Sequence, residues 1–274
     1  MFEVVVVLYN MTFSESPTII SLNQLLASGA FPEIRKILIF DNSEFSTIPE
    51  GLDKRFIYHH SEVNVGLAKA YNYALSQSSD DTEWLITLDQ DTILTKEYLE
   101  EMTSKYLEVP DRVVAIAPII KDSGQQISPV RSDTLRPLHT ELPKKDCVYS
   151  QDIMVINSGT AIRLSFLEQI EGYNEDFQID YLDHWVSWAI FNYEKGIYIL
   201  NVALTHSLSV LHNSELTTSR YEAILRNEAI FFMKYQKVLL GAYRKQMLIR
   251  SLKQLVHRRF TFFKISLMFF LKTL

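Results

Sequence analysis

An apolar run closes on two carboxylates one residue apart in Trp84-Leu85-Ile86-Thr87-Leu88-Asp89-Gln90-Asp91-Thr92. Side chains alternate along a strand, so Asp89 and Asp91 share a face where the strand opens into a loop. Carboxylates placed this way suit a hard divalent cation that shares its shell with phosphates. A solvated acidic turn would use the same residues with no ligand. Thr205-His206-Ser207 supplies one imidazole, and a histidine facing the Asp-x-Asp would complete a three-ligand divalent site. Within Gly172 to Trp185, acids crowd the start of a predicted helix. They either complement the helix dipole or include a base whose carboxylate form is favoured there. Asn157-Ser158-Gly159 interrupts a strand with a backbone-permissive residue, which serves a bulge or the close approach of a ligand.

The elements that must carry these residues follow from the apolar pattern. Val4 to Leu8 is a β-branched run expected as a central strand buried on both faces. It ends in Tyr9-Asn10. Ser16-Pro17 reads as a helix start and Gly29 as its stop, with Ile19, Ile20, Leu22, Leu25 and Leu26 between them. Ile34 to Phe40 is a second strand ending in Asp41-Asn42-Ser43, and Phe56 to His60 a third. Asn64-Val65-Gly66-Leu67 turns into a helix reaching Ser76. Trp84 to Leu88 is the fourth strand, and a helix runs from Thr95 toward Leu107. Alternating strands and helices predict an α/β, doubly wound, mostly parallel sheet. Ligands sit beyond the carboxyl ends of such strands, where Tyr9-Asn10, Asp41-Asn42 and Asp89-Gln90-Asp91 all fall. No Gly-x-Gly-x-x-Gly or Walker-type loop is present, which argues against a dinucleotide dehydrogenase or a P-loop ATPase. Further on, Arg112 to Ile120 is a strand, and Lys121 to Lys145, polar with three prolines, reads as a long loop. A helix to Tyr193 and a strand from Ile197 to Leu200 follow.

The chain of 274 residues is 47% hydrophobic, ample for a core. Cys147 is the only cysteine, so no intrachain disulfide forms and a reducing, cytoplasmic setting fits. The amino terminus lacks the basic region and cleavage site of a signal peptide. Charge is divided sharply. Residues 1–228 hold seventeen Lys or Arg and all 33 acids, net −16, whereas 229–274 hold ten Lys or Arg and no acid. The body is thereby a poor nucleic-acid binder, and the tail suits an anionic surface.

Taken together, Tyr9-Asn10, Asp41-Asn42-Ser43, Asn64-x-Gly66 with Ala68, Ala70 and Asn72, Asp89-Gln90-Asp91, Asn157-Ser158-Gly159 and the Gly172 to Asp183 block resemble the motifs of inverting glycosyltransferases of family 2. The pattern is most similar to bacterial rhamnosyltransferases and galactofuranosyltransferases. Arg220-Tyr221 and Arg226-Asn227 match late elements of that family. The resemblance spans Val4 to Asn227 and implies a GT-A fold over 1–228, with a nucleotide-sugar half at 1–115 and an acceptor half at 116–228. It implies that Asp41 reads a pyrimidine base, that Tyr9, Asn10, Asn64, Gly66, Lys69 and Gln90 lie along the donor, and that Asp89 touches ribose or metal. It implies Asp91 and His206 as ligands of Mn²⁺ or Mg²⁺, Asp183 as general base, and Asn157, Ser158, Gly159, Asp180 and Trp185 on the acceptor side. Two departures bear on the sugar: Trp185 stands where the family usually has an acid, and Trp188-Ala189-Ile190 lacks its usual arginine. The implied donor is dTDP-L-rhamnose, with UDP-hexose or UDP-galactofuranose as the alternative. A non-catalytic nucleotide-sugar-binding assembly protein and a nucleotidyltransferase are the rivals from other classes.

In the tail, Leu248, Leu252 and Leu255 form a helical stripe with Arg250, Lys253 and His257 off it, and Thr261 to Leu271 is too short to span a bilayer. A basic amphipathic stretch over 244–274 suits the inner face of the plasma membrane. That placement fits a polyprenyl-diphosphate-linked saccharide acceptor in cell-surface polysaccharide synthesis. A helical pair capping the core, or a homodimer interface, would use the same residues.

Overall fold

The computed structural model describes residues 1–27, 29–46, 50–206 and 217–273, with His206 described in its backbone only. The first half is a series of parallel crossovers. Strand β1 (Phe2–Leu8) leads to helix α1 (Pro17–Leu26), then β2 (Ile34–Asp41), β3 (Phe56–His60), α2 (Gly66–Ser76), β4 (Trp84–Asp89), a short β5 (Thr92–Ile93) and α3 (Lys96–Lys105). The Ser16 hydroxyl accepts from the Ile19 amide with Pro17 in the first turn, the predicted helix start. Every residue of β1 is buried because its two faces feed different cores. Val5 and Val7 join one with α2, while Val4 and Val6 join the other with α1 and α3. Each such side chain contributes about 1.5–3 kcal/mol on burial.

The second half is mixed. It holds β6 (Val113–Asp122), β7 (Gln125–Ser128), β8 (Val130–Arg131), β9 (Cys147–Tyr149), β10 (Ile153–Met154), β11 (Thr160–Arg163), α4 (Leu164–Gln169), α5 (Leu182–Asn192) and β12 (Gly196–His206). Helices α6 (Thr218–Lys234), α7 (Leu240–Val256) and α8 (Phe260–Lys272) close the chain. The main sheet runs β3-β2-β1-β4-β11-β6-β12-β5. Strand β11 lies antiparallel between β4 and β6, so the parallel order is broken at its centre. The expected loop over Lys121 to Lys145 is more ordered than its composition suggests. Strand β7 folds back on β6 around a turn at Ser123-Gly124, and β8 pairs with β10.

The change of composition after Glu228 falls inside α6, and the basic helices belong to the same core. Phe232 stacks on Tyr243 with ring centroids 4.6 Å apart, Tyr221 and Ser266 share a hydrogen bond of 2.6 Å, and Met247 and Phe269 are buried.

Candidate active site

Register brings the three polar strand ends level. Leu8 pairs with Asp41 across β1 and β2, and Val7 pairs with Asp89 across β1 and β4. Tyr9-Asn10, Asp41-Asn42 and Asp89-Gln90-Asp91 therefore leave one edge of the sheet together. Side chains lock them there. The Tyr9 amide donates to Gln90 Oε1 (2.8 Å), the Asn10 amide to Ser43 Oγ (2.8 Å) and the Val65 amide to Asn42 Oδ1 (3.0 Å). Asp41 is only 3% exposed, and it accepts from the Ser43 amide (2.9 Å) and the Tyr58 hydroxyl (2.7 Å). Two of its acceptor positions are thus committed to the fold, as a buried carboxylate requires.

A buried hydroxyl network fixes the Asp-x-Asp turn from below. Ser158 Oγ accepts from the Asp89 amide (2.9 Å) and shares a proton with Thr92 Oγ1 (2.7 Å), while Thr18 Oγ1 donates to the carbonyls of Asp89 (2.6 Å) and Thr92 (2.9 Å). The Gly159 amide donates to the Thr87 carbonyl and its carbonyl accepts from Tyr98. A Cβ at Gly159 would meet Pro118 at 3.0 Å and Leu204 at 3.2 Å. The backbone-permissive residue thus serves close protein packing. Asn157, Ser158 and Gly159 are buried and act as the floor of the site.

Asp183 comes from the other half of the chain and reaches the same region. It opens α5, partly exposed, and accepts from the His184 amide (2.8 Å). Its link to Asp89 is Tyr71, a fully buried phenol that sequence reasoning passed over between Ala70 and Asn72. Burial first, then the charges of Asp89, Tyr173 and Asp183, push the Tyr71 hydroxyl well above its ordinary value. Asp89 biases the phenol without reaching normal hydrogen-bond geometry. The hydroxyl stays protonated at neutral pH, a donor set among carboxylates.

The segment that delivers Asp183 is anchored on two sides. Asn72 on α2 donates to the Tyr173 carbonyl (2.9 Å) and accepts from its amide (2.7 Å). The Leu67 amide donates to the Gln178 carbonyl (2.6 Å) at Gly66. Gly66 has φ +82°, and a Cβ on it would stand 2.7 Å from the Gln178 oxygen. On the far side Arg220, at the start of α6, forms a two-pronged ion pair with Asp180, one arm at 2.7 Å, and Asn227 donates to the Asp180 carbonyl (3.3 Å). Asn64 is exposed and its side chain accepts from the Gly66 amide (3.0 Å); Lys69 is exposed, 3.9 Å from Glu175. Trp185 is 8% exposed within the core, so it presents little surface to a ligand. Beside it α5 does offer a cavity of 190 Å³, where His184, Trp188 and Phe231 meet Ser132, Asp152 and Gln236.

Two carboxylates at this edge have the chemistry a divalent cation needs. Asp89 and Asp91 are half-buried and supply the hard oxygens that Mn²⁺ or Mg²⁺ prefers. Among the described residues no third His, Cys, Asp or Glu joins them in a cluster. His206 pairs through its backbone with Thr92, directly after Asp91; its side chain lies outside the described residues. Two carboxylates fit such a cation when diphosphate oxygens take the remaining positions.

Comparison with known proteins agrees with this geometry. Residues 3–171 match the family model for glycosyl transferase family 2. That match takes in all three strand ends and the hydroxyl floor, and stops before Asp183. Among solved structures, S. aureus TarS 1–349 is similar with a TM-score of 0.51 at 15% identity, covering 91% of this chain and 79% of that one. The mannosyltransferase PcManGT from Pyrobaculum calidifontis, in complex with GDP-Man and Mn2+, gives 0.54 at 12% identity, covering 85% and 63%. GalNAc-T7 with UDP, GalNAc and Mn2+ gives 0.54 at 14%, covering 85% and 50%. At such identities the likeness establishes the shared GT-A type of α/β fold. Curated proteins give no sequence match.

Proposed function

The chain belongs to glycosyl transferase family 2, and from that premise we propose an inverting transferase that moves a sugar from a nucleotide donor to a saccharide acceptor. The observation that carries the reading is the level register of β1, β2 and β4, which brings Tyr9-Asn10, Asp41-Asn42 and Asp89-Gln90-Asp91 to one edge of the sheet. Donor chemistry belongs at the level strand ends: Asp41 and the Tyr9-Asn10 turn toward the nucleoside, Asp89 and Asp91 toward the diphosphate. The relatives in complex with UDP, UDP-GlcNAc or GDP-Man support a nucleotide-sugar donor.

Asp89 and Asp91 would hold Mn²⁺ or Mg²⁺, which when bound offsets the negative charge growing on the leaving diphosphate. Asp183 takes the proton of an acceptor hydroxyl. That oxygen forms its bond to the anomeric carbon as the bond from that carbon to the diphosphate breaks on the opposite face. Configuration inverts and a nucleoside diphosphate leaves. Tyr71 keeps its proton, a neutral phenol dipole beside negative charge. The sugar is proposed as L-rhamnose from dTDP-rhamnose, with UDP-hexose or UDP-galactofuranose second, and the acceptor as a polyprenyl-diphosphate-linked saccharide on the cytoplasmic side. The resemblance of the motif order to rhamnosyltransferases supports that choice.

The test is product release from a panel of dTDP, UDP and GDP sugars with a lipid-linked saccharide acceptor and Mn²⁺. One donor should yield nucleoside diphosphate, and Asp183→Asn should lower its turnover at least about 100-fold, the range of a lost general base. Release of inorganic diphosphate would point to a nucleotidyltransferase, and wild-type turnover by Asp183→Asn would remove Asp183 from the chemistry.

A further inference from the structure

The predicted stripe Leu248-Leu252-Leu255 faces outward. Helix α7 buries Tyr243, Met247 and Ser251 against the body, and the opposite side carries Leu248, Ile249, Leu252, Leu255 and Val256 in the open. At 100° per residue these five occupy about a third of the helix circumference. Leu252 is 52% exposed and Val256 79%. A helix that merely capped the core would show water its charges, yet this one shows it an apolar band.

Cations frame the band. Lys245 and Lys253 flank Ile249 in a cleft of 410 Å³ that Arg136 closes from the loop after β8. Arg250 also lines it, but two bonds to the nearly buried Glu228 carboxylate engage that guanidinium. Burial works against the Arg250 charge, and Glu228 more than offsets it, so Arg250 stays cationic within a neutral pair. Among the described residues no ion pair engages Arg136, Lys245 or Lys253. A second apolar patch lies on α8, where Leu267, Met268 and Leu271 sit between Lys264 and Lys272.

We propose that the outer face of α7, with the Arg136–Lys245–Lys253 cleft beside it, docks on an anionic phospholipid membrane. The cleft takes lipid phosphate while Leu252 and Val256 enter the acyl boundary. Charge selects this occupant. A symmetric pair of chains meeting through α7 would set Lys245 and Lys253 of each chain against those of the other, on a helix with no acid to pair them. An anionic lipid surface accepts both the cations and the apolar band. No helix among the described residues is long and apolar enough to cross a membrane, so the contact is interfacial. The inference rests on α7 itself and stands whichever sugar is transferred.

Flotation of the full chain with vesicles of pure phosphatidylcholine, and with vesicles one third phosphatidylglycerol, tests it. The expected result is binding to the anionic vesicles only, weakened by salt. Neutralising Lys245→Gln and Lys253→Gln together should cut the partition coefficient roughly 25-fold, at about fivefold per lysine. Leu252→Ser with Val256→Ser, exposed positions whose loss leaves the core intact, should also weaken it. Equal binding to both vesicle types, no binding, or retention by both variants would overturn the proposal. So would concentration-dependent self-association, without flotation, that the Leu252 and Val256 changes abolish.

Discussion

Arg55 shows how much of the site's support comes from single side chains outside it. Its guanidinium donates to the carbonyls of Leu26 (2.8 Å), Ala30 (3.1 Å) and Phe31 (3.2 Å), closing the exit from α1, and Asp53 holds it in place through Nε (2.8 Å). The Arg55 hydrogen bond holds the Asp53 carboxyl below its usual range. A folded pKa lower than the unfolded one contributes stability that is present above about pH 4 and lost as pH falls through the folded value. Asp53→Asn should therefore lower stability at pH 7 by about 1.5 kcal/mol, the low end for a charge-assisted hydrogen bond, here between side chains only 13% and 15% exposed. The gap to wild type should narrow below about pH 4 in urea titrations; a gap independent of pH would refute the assignment. At this scale the sequence located Asp41, Asp89 and Asp91 at strand ends on one sheet edge, because the apolar runs show where the strands stop. Tyr71 was invisible for the opposite reason. A tyrosine on an apolar helical face looks like core, and only the arrival of Asp89 and Asp183 from elsewhere makes its hydroxyl matter.

Among elements, α2 joins the two halves, since it touches both. Gly66 lets the segment that precedes α5 lie on its first turn, and Asn72 pins that segment one helical turn and a half further along. Gly66→Ala forces a side chain onto a residue at φ +82° and into the Gln178 carbonyl. The left-handed backbone alone costs about 1–2 kcal/mol. The variant should lose at least that much unfolding free energy, with a lower denaturation midpoint, and should lose turnover through a displaced Asp183; an unchanged denaturation midpoint would mean that the contact is dispensable. The first four strands and their helices were legible because parallel strands read as continuous apolar runs. The strand expected over Gln151 to Arg163, interrupted at Asn157-Ser158-Gly159, includes β11, but its antiparallel insertion between β4 and β6 was not legible, since four residues carry no sign of their partners. The polar segment after β6 misled for a related reason. Its order comes from partners, β6 and β10, rather than from its own composition.

For the whole molecule, one sheet carries the polar edge proposed to hold the donor, and helix α5 packs from the second half of the chain. The acidic body and the basic carboxyl-terminal helices form a single packed unit with opposite charge at its two ends of sequence. Composition marked that change of charge, but α6 runs through it, because packing follows apolar side chains and is indifferent to where charge changes sign. The same separation would let an anionic surface meet α7 while the acidic edge stays open to the proposed cation and diphosphate.

Thermal unfolding with dTDP, UDP or GDP, each with and without Mn²⁺, tests the shared cleft most directly. A nucleoside diphosphate at 100 times its dissociation constant stabilises the native state by about 2.7 kcal/mol. The account predicts that one nucleotide raises the midpoint by several degrees when Mn²⁺ is present. Asp183→Asn should keep that rise and Asp91→Asn should lose most of it. No rise with any nucleotide, or an equal rise in Asp91→Asn, would contradict the placement of the diphosphate and its cation at the Asp89–Asp91 edge.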